Sequence, residues 1–589
     1  MRRIAHHQAV WILSASLVTL GIGSAQETTR PGRAPATVKP APVTVDLLAP
    51  PIVFRHLPEV RVEETSPSAE KIGVVSEGSA PTPTSVVSET VAATCETCEN
   101  PWAKIPPVTV FPRPGAFTVP GSGPGYYSFC DVLEGNYRKK PPAFPYPPFI
   151  LQAPSNFDAD YRYLDKPDNQ QTDFFDATKR LHPTPDTMFS FGGQHSIRYM
   201  DEVDSRLGKV DNTYSLIRNR VYGDFWYKDN VRIYGEFISA ITTGQNLPPL
   251  AIDQNKADFL NLFVDVKAAE IAGNPLYVRV GRQELLYGSQ RIVSTLDWAN
   301  TRRTFEGVKA FWHSEKVDVD AFWTQPVVIA PNEFDSANHD VQFYGVWATY
   351  RPAKGQFIDL YYLGLTDDRA TPNPFVQGKA ARKGTQDAHT FGARWAGNQG
   401  RLLYDFEGML QTGNFIGRDR SAYAWTTAIG WEFKETPWRP QLWVSNDYAS
   451  GTSNPSAGDY HTFNQLFPFG HYYFGFVDAV GRQNINDFNL QLAVYPDNWI
   501  TLLVQYHNFQ LAERRDFLYN AAGRATRRSA TGAAGRDVGD EVDFLANFHL
   551  SQHQDVLVGY SKLFAGDFIK RTGAAVSPEL LYVMYNFRW

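Results

Sequence analysis

Cysteine is nearly absent from this chain of 589 residues. Its three copies, Cys95, Cys98 and Cys130, all lie in the first quarter. Cys95-Glu-Thr-Cys98 is a lone C-x-x-C with no second pair and no βαβ pattern around it. A structural or incidental disulfide therefore outweighs a zinc or redox site. A basic excess is also missing: the net charge is −6, which gives no electrostatic case for nucleic acid. Long apolar runs are missing too, and the mean hydropathy is −0.34. That excludes a bundle of transmembrane helices, which needs several runs of about 20 apolar residues. The one run of note is N-terminal. Arg2 and Arg3 precede Ala9-Val-Trp-Ile-Leu-Ser-Ala-Ser-Leu-Val-Thr-Leu-Gly21, and Gly23 and Ala25 are small. This pattern predicts a signal peptide over 1–25, and no Cys follows the cut to carry a lipid anchor.

Catalytic motifs are absent as well. There is no G-x-S-x-G and no phosphate-binding G-x-x-x-x-G-K-[ST]. His549 and His553 fall in a strand–turn context and share no helix face. Asp405 and Glu407 lie two apart on one strand face, where a structural pair in a polar wall outweighs an acid/base pair. Gly121-Ser-Gly-Pro-Gly125 sits in coil. No enzyme, cofactor or metal is expected.

What the chain does have is divided. More than half of its 40 prolines fall between Gln26 and Ile150. Stretches such as Pro141-Pro-Ala-Phe-Pro-Tyr-Pro-Pro148 favour extended backbone, because the ring fixes φ and removes a donor. Residues 26–157 are expected to be a proline-rich, largely disordered extension, and 158–187 an ordered lead-in. The rest is rich in aromatics, which make up 14% of the whole chain.

From 188 to 589 the dominant pattern has period two. Leu260, Leu262, Val264 and Val266 alternate with Asn261, Asp265 and Lys267. Tyr404, Phe406 and Leu410 alternate with Asp405, Glu407 and Gln411. Val542, Phe544 and Ala546 alternate with Glu541, Asp543 and Asn547. Successive side chains point to opposite faces of a strand, so each segment has an apolar and a polar face. Eighteen such segments are expected: 188–199, 214–227, 231–243, 258–269, 275–286, 302–313, 316–325, 340–351, 356–365, 388–396, 401–412, 421–433, 440–450, 485–495, 499–511, 538–550, 553–564 and 578–589. Short connections such as Lys228-Asp-Asn230 alternate with long ones, the longest near 366–387, 451–484 and 512–537. That asymmetry belongs to outer-membrane barrels. Closure leaves no unpaired edge in lipid, and alternation explains the low hydropathy. The fold class expected is all-β: a transmembrane antiparallel β-barrel of about 18 strands. Its C-terminal strand ends in Phe587 and Trp589, a terminal aromatic suited to a barrel-insertion signal.

Three motifs resemble the alginate export family of outer-membrane barrels. The first is Val280-Gly-Arg-Gln-Glu-Leu-Leu-Tyr-Gly288 with Ser289-Gln-Arg291 and Arg302-Arg-Thr-Phe-Glu-Gly-Val308. It carries Gly281, Arg282, Gln283, Glu284, Tyr287, Gly288 and Arg291. The second is Phe463-Asn-Gln-Leu-Phe-Pro468 with His471, Asp478 and Asn484. The third is Ser561-Lys-Leu-Phe-Ala-Gly-Asp-Phe568. Tyr163-Leu-Asp165 and Phe189-Ser-Phe-Gly-Gly193 are also similar. The resemblance covers about 160–589. It implies an 18-stranded barrel and passage of an acidic polysaccharide, with cations in the pore.

The polar faces supply pore-lining candidates. Arg218, Arg220, Arg232, Arg279, Lys309 and Arg394 fall on them, since Arg or Lys facing mid-bilayer lipid would cost about 2–4 kcal/mol. Glu236, Asp265, Asp320, Asp405, Glu407, Glu541 and Asp543 fall on the same faces, so the lumen is mixed in sign. Arg282 and Glu284 break the parity of Val278 and Val280. Either a bulge at Gly281 re-aims them or they lie at the rim. The expectation is an outer-membrane, porin-like channel for hydrophilic anions or saccharides, with the extension in the periplasm. Membrane lipid, the solute and the barrel-insertion machinery are its expected partners. Two alternatives stand: a soluble extracellular all-β protein that binds or cleaves polysaccharide, and a structural or adhesive barrel.

Overall fold

The structure, a computed structural model, describes residues 155–159, 161–165, 174–372, 383–454, 457–497, 499–551 and 553–589. The expected signal peptide, Cys95, Cys98, Cys130 and most of the proline-rich region lie outside these.

Eighteen long strands follow one another in the barrel. They are β1 (Thr187–Val203), β2 (Asn212–Tyr227), β3 (Val231–Thr243), β4 (Asn255–Ile271), β5 (Asn274–Gln283) and β6 (Phe305–His313). Then come β7 (Val317–Val328), β8 (Val341–Tyr350), β9 (Gln356–Pro372), β10 (Lys383–Gln399), β11 (Leu402–Phe415) and β12 (Arg418–Glu432). The last are β13 (Gln441–Ala449), β14 (Ile485–Asp497), β15 (Ile500–Leu511), β16 (Asp537–Ser551), β17 (Gln554–Ala565) and β18 (Glu579–Arg588). Each pairs antiparallel with its sequence neighbours. β1 pairs with β18 from Gln194↔Arg588 to Val203↔Glu579, which closes the sheet. All eighteen expected segments are present, with ends moved by a few residues. β9 and β10 run well past the expected ends, so the long connection placed at 366–387 shrinks to 373–382, outside the described residues.

The alternation sorts the two faces. Val264, Phe391, Leu410, Ile429 and Phe544 are exposed on the outside, while Asp265, Asp405 and Asp543 are buried inside. Leu260 corrects the simple parity. Glu236 pairs with Asn261, but the next residue, Phe237, pairs with Phe259. Leu260 is therefore an extra residue, and it turns inward beside Asn261 while Phe259 takes the outer position. No bulge occurs at Gly281: its register with Phe263 and Gly307 is continuous.

Closure at the seam depends on a glycine. Gly193 exchanges backbone hydrogen bonds with Trp589, at 2.9 and 3.0 Å. A Cβ on Gly193 would fall 2.4 Å from the Arg220 carbonyl oxygen and 3.0 Å from the Trp589 ring. Only a residue without a side chain admits the terminal indole there.

The candidate site: a lumen filled from both ends

Two of the long connections do not stand out in solvent. Of residues 284–304, all but Leu286 are buried. The 450–484 connection packs against them: Val293 bridges to Phe467, and the Phe467 and Phe469 amides donate to the Ile292 and Gln290 carbonyls at 3.0 and 2.8 Å. Trp298 stacks on His471 at 3.9 Å, and the Tyr473 hydroxyl donates to the Ser289 carbonyl at 2.8 Å. Together they form a plug whose apolar residues, including Leu285, Ile292, Val293, Phe463 and Phe467, pack in one cluster with wall residues such as Phe305 and Phe343.

Ion pairs fasten this plug to the wall. Arg291 donates to Asp405 and Glu407, both at 3.0 Å. Arg218 reaches Asp297 at 2.7 Å, and Arg302 holds Asp297 and also Glu284, the latter at 2.5 Å. Burial pushes the Asp297 carboxyl up, and Arg302 and Arg218 more than reverse this, leaving it below its ordinary range. Arg482 meets Asp447 at 2.7 Å. Glu541 and Asp543 sit side by side and accept the Val477 and Phe476 amides at 2.9 and 3.4 Å. Gly475 (φ +80°) lies against the Glu541 carboxyl, where a Cβ would come within 2.3 Å.

All thirteen charged candidates on the polar faces turn inward, and most are paired. Arg220 meets Glu236 at 2.7 Å, Arg232 meets Asp224 at 2.8 Å, and Arg279 meets Asp265 at 2.7 Å. Lys309 meets Asp320 at 3.2 Å, and Arg394 meets Asp405 at 2.8 Å and Asp359 at 3.1 Å. Asp405 and Glu407 are thus clamped by guanidiniums, with the Tyr361 hydroxyl also on Glu407 at 2.8 Å. They do not stand as a free acid/base pair.

The residues of the family motifs are divided between the rim, the wall and the plug. Arg282 keeps the outer parity at the rim, where it binds Asp258 (3.1 Å) and Glu306 (2.6 Å). Glu284 follows the end of β5 and turns inward to Arg302. Gln283 is buried and reaches the Gly281 and Gly307 carbonyls at 3.4 Å. The Tyr287 ring stacks between Phe322 and Trp347, with its hydroxyl on Asp320 at 3.1 Å. Gly288 (φ +52°) passes so close to Trp347 that a Cβ would fall 2.7 Å away. His471 binds Asp478 at 3.0 Å. Asn484 accepts the Glu513 amide at 2.6 Å and donates to the Glu513 and Phe517 carbonyls, pinning the 512–536 connection.

Sequence parity missed several buried groups because they sit on connections or were not singled out: Asp297, Trp298, Arg303, Arg482, and the His507–Asp487 pair at 2.9 Å. Arg198, Arg303 and Arg420 are buried and have no carboxylate partner among the described residues. Arg198 lies 3.6 Å over the Trp298 ring and borders a cavity of about 510 Å³ at the long-loop end.

A search of curated proteins returns no significant match. Among solved structures, Pseudomonas aeruginosa OccD3 (OpdP) is 11% identical, with a TM-score of 0.47, over 70% of this chain and 92% of that one. The outer membrane protein OpdK of the same organism is 11% identical, with a TM-score of 0.46, over 68% and 99%. The family model described as alginate export matches residues 187–583, the whole barrel but for its last strand end. The chain belongs to the alginate export family of outer-membrane β-barrels.

Proposed function

We propose that this protein is an outer-membrane channel that passively conducts hydrophilic solutes, with anions and acidic saccharides favoured. The proline-rich extension would lie on the periplasmic side, at the short-turn end. Family membership and a polar lumen inside an apolar wall support a channel rather than an enzyme. The observation that carries the anion preference is the set of three buried arginines, Arg198, Arg303 and Arg420, that have no carboxylate among the described residues. These guanidiniums donate to neutral oxygens such as the Trp298, Pro468 and Thr462 carbonyls rather than to a carboxylate, and an anion in transit adds the charge they lack at contact distance.

The test is the reversal potential of the reconstituted protein across a KCl gradient. Anion selectivity is expected. Replacing the three arginines by Gln should move the potential toward the cation side. Block of the current by a polyuronate, but not by a neutral glucan of equal length, would tie the path to acidic saccharides. A cation-selective current that the triple variant leaves unchanged would refute the preference.

A further inference from the structure

The short-turn end of the lumen is occupied by the chain's own lead-in. A single turn, Asn156–Asp158, places Phe157 inside the barrel. Its ring meets Tyr234 and Phe263 edge-on at 5.6 and 5.3 Å, and the Arg279 guanidinium lies 4.6 Å over it. The Phe157 carbonyl accepts from Arg232 at 2.7 Å, and Asn156 donates to Glu236 at 2.8 Å. A second turn brings the Tyr161 hydroxyl to 3.4 Å from that of Tyr222. Burial pushes the Tyr161 hydroxyl up to about 12, so it stays neutral in this contact. A cavity of about 140 Å³ remains between these turns and the wall formed by Ser190, Tyr287, Lys309 and Asp320.

The wall does not need this occupant. Arg232 keeps Asp224, and Arg279 keeps both oxygens of Asp265, at 2.7 and 2.9 Å. Glu236 keeps Arg220 at 2.7 Å, Asn261 at 2.9 Å and the Tyr234 hydroxyl at 3.1 Å. Arg232, Arg279 and Glu236 are thus compensated without it, while Asp165 at the end of the second turn pairs with Arg180. The turns at 155–159 and 161–165 contribute no strand to the sheet. They are held by the buried Phe157 and Tyr161 rings, local hydrogen bonds and the Asp165–Arg180 ion pair, whereas each barrel strand pairs along its length with two neighbours.

We propose that these turns are a built-in stopper of the short-turn mouth, seated by Phe157 and withdrawn as a unit to open the vestibule. Seated, the stopper covers Arg232, Arg279 and Glu236. Withdrawn, it leaves an aromatic floor of Tyr222, Tyr234 and Phe263 flanked by those charges. Its consequence for flux rests on the channel reading, but its existence does not, so the two are tested separately.

The test uses the full chain carrying Ser190→Cys, a near-isosteric change in the cavity wall. It is labelled from solution by a charged methanethiosulfonate, and the Ser190 peptide is read by mass. With Phe157 present, labelling should be slow. Adding Phe157→Ala should speed it at least tenfold, while Phe157→Leu, which keeps an apolar filler, should stay close to the parent. If Phe157→Ala does not assemble, Asn156→Ala serves in its place and should accelerate labelling in the same sense. Equal rates in the parent and in a folded, heat-modifiable Phe157→Ala variant would overturn the stopper. Accelerated labelling uphold it even where no variant conducts, a result that would count against the channel alone.

Discussion

Arg291 donates from a single nitrogen to Asp405 and to Glu407, both at 3.0 Å, across 114 and 116 positions of sequence. This links the tip of the 284–304 connection to the middle of β11. It makes a loop segment part of the pore's interior. Asp405 is shared with Arg394, which also holds Asp359, so two guanidiniums and three carboxylates form one buried network.

The first prediction concerns that network. Removing one member of a buried ion pair leaves an uncompensated charge and typically costs about 3–5 kcal/mol. Arg291→Ala should lower the temperature at which the folded barrel converts to the slow-migrating form on a denaturing gel. It should also raise current noise as the plug loosens. An unchanged transition temperature would show that the Arg291 contacts do not hold the plug.

A second prediction separates the two faces of one strand. Leu410 is 63% exposed on the outside of β11. Leu410→Arg should destabilise the barrel by about 2–4 kcal/mol in lipid, depending on depth. Leu410→Phe should be close to neutral. Equilibrium urea unfolding in vesicles measures the difference. Equal stability of the two variants would argue against lipid on that face.

The seam gives a third. Gly193→Val would drive a side chain into the Arg220 carbonyl and the Trp589 ring. The variant should fail to reach the heat-modifiable state, and deletion of Trp589 should slow assembly without abolishing the strand pairing of β18. Normal assembly kinetics for both would remove the seam from the account.

The fourth is a pH effect at the long-loop rim. Burial pushes the Asp335 carboxyl up to about 7, with Asp258 adding to the effect and the Ala330 amide opposing it. The unfolded value is about 3.9. Between these values the folded state binds the extra proton, so stability of this loop falls as pH rises toward and through about 7. Protease cleavage within 329–338 should be faster at pH 8 than at pH 6. Asp335→Asn should abolish the difference, and a pH-independent rate in the parent chain would contradict the assignment.

Much of the barrel was legible because lipid outside and polar groups inside impose period two on every strand. Leu260 escaped because one extra residue flips the parity locally, and nothing in its own type signals that. The plug escaped for a different reason. Its residues obey no period: 284–304 and 450–484 are ordered by contacts with each other and with distant strands, such as Trp298 on His471. The motifs at Glu284, Arg291 and Asn484 did carry the information, as side chains that fasten connections to the wall, but their partners lie up to 116 positions away. The buried Phe157 gave no sign, since composition groups it with the prolines.

The most direct test of the account is single-channel recording of the purified full chain in planar bilayers, beside its Phe157→Ala variant. Discrete ohmic steps are expected from both, with a larger open fraction in the variant. No steps from either, with heat-modifiable migration showing that the barrels are folded, would contradict the claim that this protein is a channel.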